Sequence, residues 1–408
     1  MKHSLNCIEL MKAAATKKNR PWYQIADPGQ IDSPALVIYP ARVRMNLDYL
    51  ISQIDDIGRL RPHIKTHKCP EAAVMAIEAG ITKFKCATIA EAELLGIVGA
   101  PDVLLACQPE GPKLLRFLKL MHAYPGTRYS CLVDNPVSSA EISRLALQTG
   151  LTVPVYLDLN VGMNRTGIFL DQVEGSDTGT VTAHHPGTDD SGQRAAALYR
   201  YCHALKGLKT LGLHCYDGHI QDHDPDIRTS RVAACFSAVK SLQAELVTEG
   251  FERPVIIAGG TPTFPVHARN SDYECSPGTF IYWDAGYQTA FPEQHYLPAA
   301  LVLARIISFP GKTTICLDLG HKSVGSENIL DKRIRFLNAP ELIPLSQSEE
   351  HLVMEAGAGH GFQIGDVLYG LPWHICPTVA LYERAVIVEE GLASGEWLNI
   401  ARDRKLTV

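Results

Sequence analysis

The octapeptide RPHIKTHK, residues 61–68, sets Arg61, His63, Lys65, His67 and Lys68 close together. Laid out as a strand, Arg61, His63 and Lys65 share one face and Pro62 and Ile64 share the other. An apolar face behind three aligned basic groups suits an enclosed anion better than a solvated surface. Far downstream, AGGTPTF (258–264) and CSPGTF (275–280) combine glycines with threonines. Glycine lets backbone N–H groups approach an anion closely, and a threonine hydroxyl adds a donor. Gly260, Thr261, Gly278 and Thr279 are therefore candidate phosphate contacts. A lysine at a strand end beside such turns can hold a phosphorylated aldehyde through a Schiff base, which points to pyridoxal phosphate. Lys65 has the parity for that role. Lys68 lies past the strand and reads as a solvated or supporting lysine.

These groups need a scaffold, and the chain offers a repeating one. RPHIK, KFKCAT (83–88), DVLLACQ (102–108), RYSCLVD (128–134), VPVYLDLN (153–160), LKTLGLHCYD (208–217), PVIIAGG (254–260) and YECSPGTF (273–280) read as successive strands. Each but the last is followed by a helical segment, so the pattern predicts a (β/α)8 TIM-type barrel. Within it, Val153, Val155, Leu157 and Leu159 alternate with Tyr156, Asp158 and Asn160. Leu211, Leu213 and Cys215 alternate with Gly212, His214 and Tyr216. The apolar set is expected to face the helices and the polar set the barrel interior. Residues 172–193 read as a polar surface insertion whose two histidines stay in solvent. From about residue 296 the pattern changes to short strands parted by Gly and Pro turns. The expected division is an N-terminal arm or helix over 1–32, a cofactor-binding barrel over 33–290, and a mainly-β domain over 291–408. The strand at 33–40 is able to pair with the β domain.

Bulk properties exclude several classes. The net charge of −6 at pH 7 disfavours nucleic acid and anionic membrane surfaces as partners. Eleven cysteines, an odd number without framework spacing, predict buried free thiols such as Cys131 and Cys316 and a reducing, cytoplasmic setting. No apolar run reaches membrane-spanning length. The basic start MKHSLNCIELMKAAATKKNR contains Glu9 and lacks a signal-peptide core, so an arm is expected rather than a targeting segment.

Taken together, RPHIKTHK, DLNVGMNRTGI, AGGTPTF, ECSPGTF, DVLYGLP and PWHICPT resemble the D-threonine aldolase and D-serine dehydratase family. These are fold-type III pyridoxal phosphate enzymes with an alanine racemase-like barrel, and the resemblance runs from about 33 to 400. It implies that Lys65, with His63 beside it, carries the cofactor. It implies that Arg165 faces the substrate carboxylate or the cofactor, and that Tyr216 lies beside the cofactor. It also implies a divalent ion held by His374 and Cys376. An i, i+2 pair on an extended strand points both side chains the same way. Imidazole with thiolate suits zinc better than magnesium, with manganese a further option. A homodimer is the usual assembly of this architecture.

Within that resemblance the reaction is expected to be a lyase reaction on D-3-hydroxy amino acids. Aldolases of the family tend to carry His-x-Asp at the metal and a histidine six residues after the tyrosine. This chain has His-x-Cys and, at the second place, Asp222, with His219 and His223 as nearby alternatives. These departures favour dehydration to a 2-oxo acid and ammonia over cleavage to glycine and an aldehyde, although YDGHIQ is aldolase-like. A racemase would need a second acid–base group, for which Tyr369 and Tyr382 are available. A non-catalytic pyridoxal-binding protein resembles the barrel alone, so the β domain argues against it. A metal-dependent barrel hydrolase would lack the lysine-bound cofactor.

Overall fold

The structure, a computed structural model, describes residues 20–170 and 191–408. The arm expected over 1–32 lies outside them up to residue 19. So does the expected insertion up to residue 190, with His184 and His185; residues 191–193 begin a helix.

The chain enters through β1 (Ala35–Ile38) and helix α1 (Pro40–Ser52), then builds a parallel sheet. Its strands and helices run β2 (Lys83–Cys86) after α2 (Pro70–Glu78), α3 (Ile89–Ile97), β3 (Asp102–Leu105), α4 (Pro112–Ala123), β4 (Arg128–Val133), α5 (Pro136–Gln148), β5 (Val153–Asn160) and β6 (Ile168–Phe169). They continue as α6 (Ser191–Ala204), β7 (Leu208–Cys215), α7 (Pro225–Thr248), β8 (Val255–Ala258), α8 (Phe264–Asn270) and β9 (Glu274–Cys275). Local sequence sets the helix starts. Thr88, Asn135 and Asp224 cap α3, α5 and α7 with side-chain oxygens that accept backbone N–H groups. Proline opens α1, α2, α4, α5 and α7, where its missing donor costs nothing.

The first barrel strand is the exception. RPHIK is not a regular strand. Residues 60–63 are extended and Ile64–Thr66 form a 3-10 turn. The extended part closes the barrel by isolated pairing: Arg61 N–H donates to Cys275 O (2.8 Å), His63 N–H to Pro277 O (2.9 Å) and Lys85 N–H to Pro62 O (2.9 Å). Side chains reinforce this short seam. Fully buried Arg61 reaches Glu274 on β9 (2.7 Å) and Asp102 on β3 (2.6 Å). Lys83 on β2 and Arg128 on β4 bind the same two carboxylates. The anion expected opposite Arg61 is thus the protein's own, and Arg61 belongs to the barrel floor.

Strand parity follows the sequence with one correction. Leu157, Leu213 and Cys215 pack under the helices, while Leu104, Leu132, Tyr156 and Ile257 form a separate interior layer. Leu211, expected to face the helices, packs against that interior layer instead. Val155 pairs with Thr210 and Tyr156 with Gly212, so Leu211 is the extra residue of a bulge, and a bulge resets which face a side chain takes.

After α9 (Ala285–Ala290) the second sheet forms from β10 (Ala300–Ser308), β11 (Thr314–Leu317), β12 (Ile334–Phe336), β13 (Ile343–Gln347), β14 (Leu352–Glu355) and β15 (Val367–Pro372). Helix α10 (Ile375–Leu381) then leads to β16 (Arg384–Glu389) and β17 (Leu392–Leu398). β1 joins this sheet, antiparallel to β10 and parallel to β16. Among the described residues no helix is long and apolar enough to cross a membrane.

Removing Arg61 takes the one fully buried cation from two buried carboxylates and leaves each with a single, more exposed partner, Lys83 or Arg128. Arg61→Met is expected to cost about 3–5 kcal/mol, read as a lower urea midpoint, with Arg61→Lys in between. Unchanged midpoints would show that the backbone bridges alone close the barrel.

Candidate active site

The 3-10 turn after the first stave presents Lys65. His63 Nδ1 accepts from the Lys65 backbone N–H (3.1 Å), which caps the turn and fixes the lysine's stem. Lys68, at φ 55°, ends the turn in a left-handed conformation. It is not solvated: its ammonium is paired with fully buried Glu91, which also accepts from Ala87 N–H (2.6 Å). The two lysines of the motif are thereby separated in role. Among the described residues Lys65 has no carboxylate within ion-pair distance. Its charge acts on His63, Lys85 and Cys376, which places all three around it.

Tyr216 follows β7 directly. A Cβ at Gly218 would lie 2.3 Å from the Tyr216 ring, so only glycine lets the chain turn back under it. Arg165, exposed in the segment between β5 and β6, stands over that ring at 4.7 Å, and the Lys85 ammonium lies 5.7 Å from it. Below, His214 Nδ1 donates to Asp158 Oδ1 (2.7 Å). Burial and Lys85 keep His214 below its ordinary pKa. Burial alone would raise Asp158, but His214, Thr166 and Lys85 hold it down. The pair is thus a neutral imidazole on a carboxylate, and among the described residues the buried His214 Nε2 has no hydrogen-bond partner. His63 is pushed well below its usual value by burial and then by Lys65 and Lys85.

The two glycine–threonine turns meet at the same end of the barrel. Thr261 Oγ1 accepts from Gly278 N–H (3.0 Å) and Thr279 N–H (3.1 Å), which ties them into one loop cluster. A Cβ at Gly260 would stand 3.2 Å from the Tyr216 ring, and one at Gly278 would stand 3.1 Å from His63 O. The loops therefore abut both the tyrosine and the lysine turn. A mouth with Lys65, Lys85 and Arg165 against one Asp158, beside glycine turns, fits a phosphate-bearing aldehyde.

Contrary to the expectation of an extended strand, His374 and Cys376 straddle the start of a helix. β15 ends at Pro372, His374 is the residue before α10, and Cys376 is in its first turn. Their side chains still meet, because His374 keeps extended backbone angles and the helix begins between them. Glu327 Oε1 holds His374 Nδ1 at 2.5 Å, which leaves Nε2 as the nitrogen available to a ligand. Burial would lower His374, but Cys376, Asp284 and Glu327 outweigh it and push it up to about 9. Burial would raise the Cys376 thiol, but His374, Lys65 and Thr66 hold it down. Thr66 Oγ1, next to Lys65, lies 3.1 Å from Cys376 Sγ. Buried Asp284 supports this corner by accepting from Tyr287 N–H (2.9 Å) and Ile375 N–H (3.0 Å). Among the described residues no three His, Cys, Asp or Glu side chains are grouped to hold an ion. The imidazole–thiolate pair fits an open site for a borderline-soft divalent ion.

Two residues are not brought to this cluster. His219 Nε2 lies 3.9 Å from Cys235 Sγ on α7. Asp222 receives Arg231 Nη1 on both oxygens (3.0 and 2.9 Å). Conversely, Lys85, Glu327 and Asp284 went unnoticed in the sequence. Only Lys85 carried a signal, since KFKC places it two residues after Lys83 on a strand face shared with the barrel interior.

Comparison with known proteins gives a consistent family. Residues 38–176 match the family "Alanine racemase, N-terminal domain" and residues 299–388 match "Putative serine dehydratase domain". A D-threonine aldolase of Arthrobacter sp. is 27% identical over 395 residues, covering 94% of this chain and 96% of its own. D-threo-3-hydroxyaspartate dehydratase of Delftia sp. (strain HT23) is 24% identical over 375 residues, 86% of this chain and 93% of its own. The crystal structure of D-threonine aldolase from Filomicrobium marinum superposes with a TM-score of 0.77 at 25% identity, covering 91% of this chain and 95% of that one.

The buried Lys85 amine has a pH signature. Burial, then Lys65 and Arg165, lower Lys85 to about 7 against the pull of Asp158. Unfolding returns the amine to about 10.4. The unfolded chain then binds this proton more tightly, so the cost to the fold is complete below about pH 7 and fades as pH rises towards 10. Cofactor-free Lys85→Met is expected to melt above the parent at about pH 6, with the gap narrowing steadily to about pH 9.5. A gap independent of pH would put the amine in water.

Proposed function

We propose that this chain, a member of the D-threonine aldolase and D-serine dehydratase family, is a pyridoxal phosphate- and divalent-metal-dependent lyase of D-3-hydroxy amino acids that favours dehydration to a 2-oxo acid and ammonia. When bound, the cofactor supplies an electron sink for the substrate α-carbon and the ion a Lewis acid for the 3-hydroxyl. Lys65 is the group that carries the cofactor and moves the α-proton, because the turn 64–66 delivers it unpaired to the mouth. Arg165, also without an ion-pair partner among the described residues, neutralises the substrate carboxylate or the cofactor's phenolic oxygen. The cluster around Gly260, Thr261, Gly278 and Thr279 receives the phosphate. Tyr216 flanks the ring, and His63 fixes the lysine turn. His374 and Cys376 supply nitrogen and sulfur to the ion, with zinc favoured by their softness.

The observation that carries the dehydratase reading is Asp222. Carbon–carbon cleavage needs a base for the 3-hydroxyl proton. At the place where the resemblance puts the aldolase histidine, Asp222 has both oxygens engaged by Arg231. His219, the alternative, lies against Cys235 on α7. Retro-aldol cleavage remains the second reading, supported by the 27% identity to an aldolase. A homodimer acting on small molecules, without nucleic acid or membrane partners, completes the proposal.

Lys65→Ala is expected to lose the visible absorbance of the lysine-bound cofactor together with turnover, whereas Lys68→Ala keeps the band. The reverse pattern would reassign the lysine. With D-serine, D-threonine and D-3-hydroxyaspartate, ammonia is expected to match substrate consumed. Glycine and aldehyde without ammonia would establish the aldolase reading.

Chelation is expected to remove activity while the cofactor band stays, and added zinc to restore it. His374→Ala is expected to lower the metal content measured by elemental analysis. Active protein free of metal would end the assignment.

A further inference from the structure

Directly behind Tyr216 lies a carboxylate that the reaction does not use. Asp217, the next residue, is fully buried. Its Oδ1 accepts from Thr263 Oγ1–H (2.8 Å) and its Oδ2 from His267 Nε2–H (2.8 Å). Those two donors belong to a different part of the fold. Thr263 is the residue before α8 and ends the loop Gly259–Thr263; His267 lies on α8 and packs against Phe236 of α7 at 4.7 Å.

Three elements therefore converge on one side chain: the Tyr216 turn, the glycine loop and α8. The packing around it is close. Gly259 takes φ 72°, and a Cβ there would lie 2.8 Å from Thr263 Oγ1 and 3.4 Å from Asp217 Oδ1. The Gly260 Cβ position faces the Tyr216 ring at 3.2 Å. One backbone bond, Gly259 N–H to Cys215 O (3.0 Å), joins the start of this loop to the residue before Tyr216, and Asp217 adds the side-chain tie that reaches the loop's far end at Thr263. A hydrogen bond to a buried carboxylate is short, directional and costly to leave unmade.

We propose that Asp217 is a positioning residue that sets the spacing between Tyr216 and the Gly259–Thr263 loop, so that one buried carboxylate registers the ring-flanking and phosphate-receiving sides of the site. This rests on the reading that pyridoxal phosphate binds at this mouth. Asp217 touches neither cofactor nor substrate and acts through Thr263 and the turn it follows. Thr263→Val keeps the shape and removes the donor. Thr263→Ser keeps the donor.

The test uses the full chain, stripped of cofactor and titrated with pyridoxal phosphate, with Kd read from visible absorbance and the asymmetry of the bound ring from visible circular dichroism. Thr263→Val and Asp217→Asn are expected to raise Kd about tenfold or more and to change the dichroic band. Thr263→Ser is expected to return both to near the parent. Melting temperatures of the cofactor-free proteins separate positioning from bulk stability. If the variants melt lower but bind with the parent's Kd and band, Asp217 is only a structural group and the proposal fails. Should Asp217→Asn not fold, the two Thr263 variants decide alone. A parent chain that takes up no pyridoxal phosphate overturns both this and the functional reading. A parent that binds normally beside unchanged variants overturns this one only.

Discussion

The whole arrangement depends on closing a parallel barrel with a stave that is too short to close it by backbone pairing alone. Residues 60–63 offer a few N–H and carbonyl groups to β2 and β9. Arg61 supplies the rest by joining carboxylates from β3 and β9, which Lys83 and Arg128 also engage. Burying charge is costly in itself, and such a network holds only because every carboxylate meets more than one cation. Because the stave ends early, the chain is free to turn at Ile64–Thr66, and that turn delivers Lys65 to the mouth rather than into the wall.

The same turn is where the two sheets meet. Thr66 Oγ1 faces Cys376 Sγ at 3.1 Å, Thr279 Oγ1 lies 3.7 Å from the same sulfur, and Ala401 N–H donates to Lys68 O at 3.1 Å. Asp284 links α9 to the start of α10 at this corner. The barrel side thus contributes the amine and the glycine–threonine loops, the segment after β15 contributes the imidazole and thiol, and the two sides touch within a few residues of Lys65.

Much of this could be read from the chain, and the reason is periodicity. Alternation in VPVYLDLN correctly placed Tyr156 in the interior and Leu157 under the helices, and the resemblance in RPHIKTHK and PWHICPT pointed to the family the comparisons bear out. What could not be read depends on depth, on backbone irregularity or on distant partners. Parity gives a face but not a height, so Arg61 was grouped with Lys65 although it sits on the barrel floor. A bulge moved Leu211 to the other face. The start of α10 fell between His374 and Cys376, where i, i+2 spacing says nothing of a helix boundary. Glu327 and Asp284 acquired their roles through contacts across the fold that no local pattern announces.

The placement of β1 has an implication for how the molecule is made. Ala35 pairs with Leu303 and Val37 with Val386, so the barrel is threaded between two parts of a single sheet. On a ribosome β1 emerges ahead of the barrel and finds no neighbour until β10 has been made. The barrel elements, whose contacts are between successive segments, can order as they appear. The β sheet must wait for pairings of long sequence separation, which form slowly. In the interval β1 presents an open edge of the kind that other chains can add to. The corner that the imidazole and thiol at α10 share with Lys65 likewise joins segments about 310 residues apart, so it exists only once both ends of the fold have met.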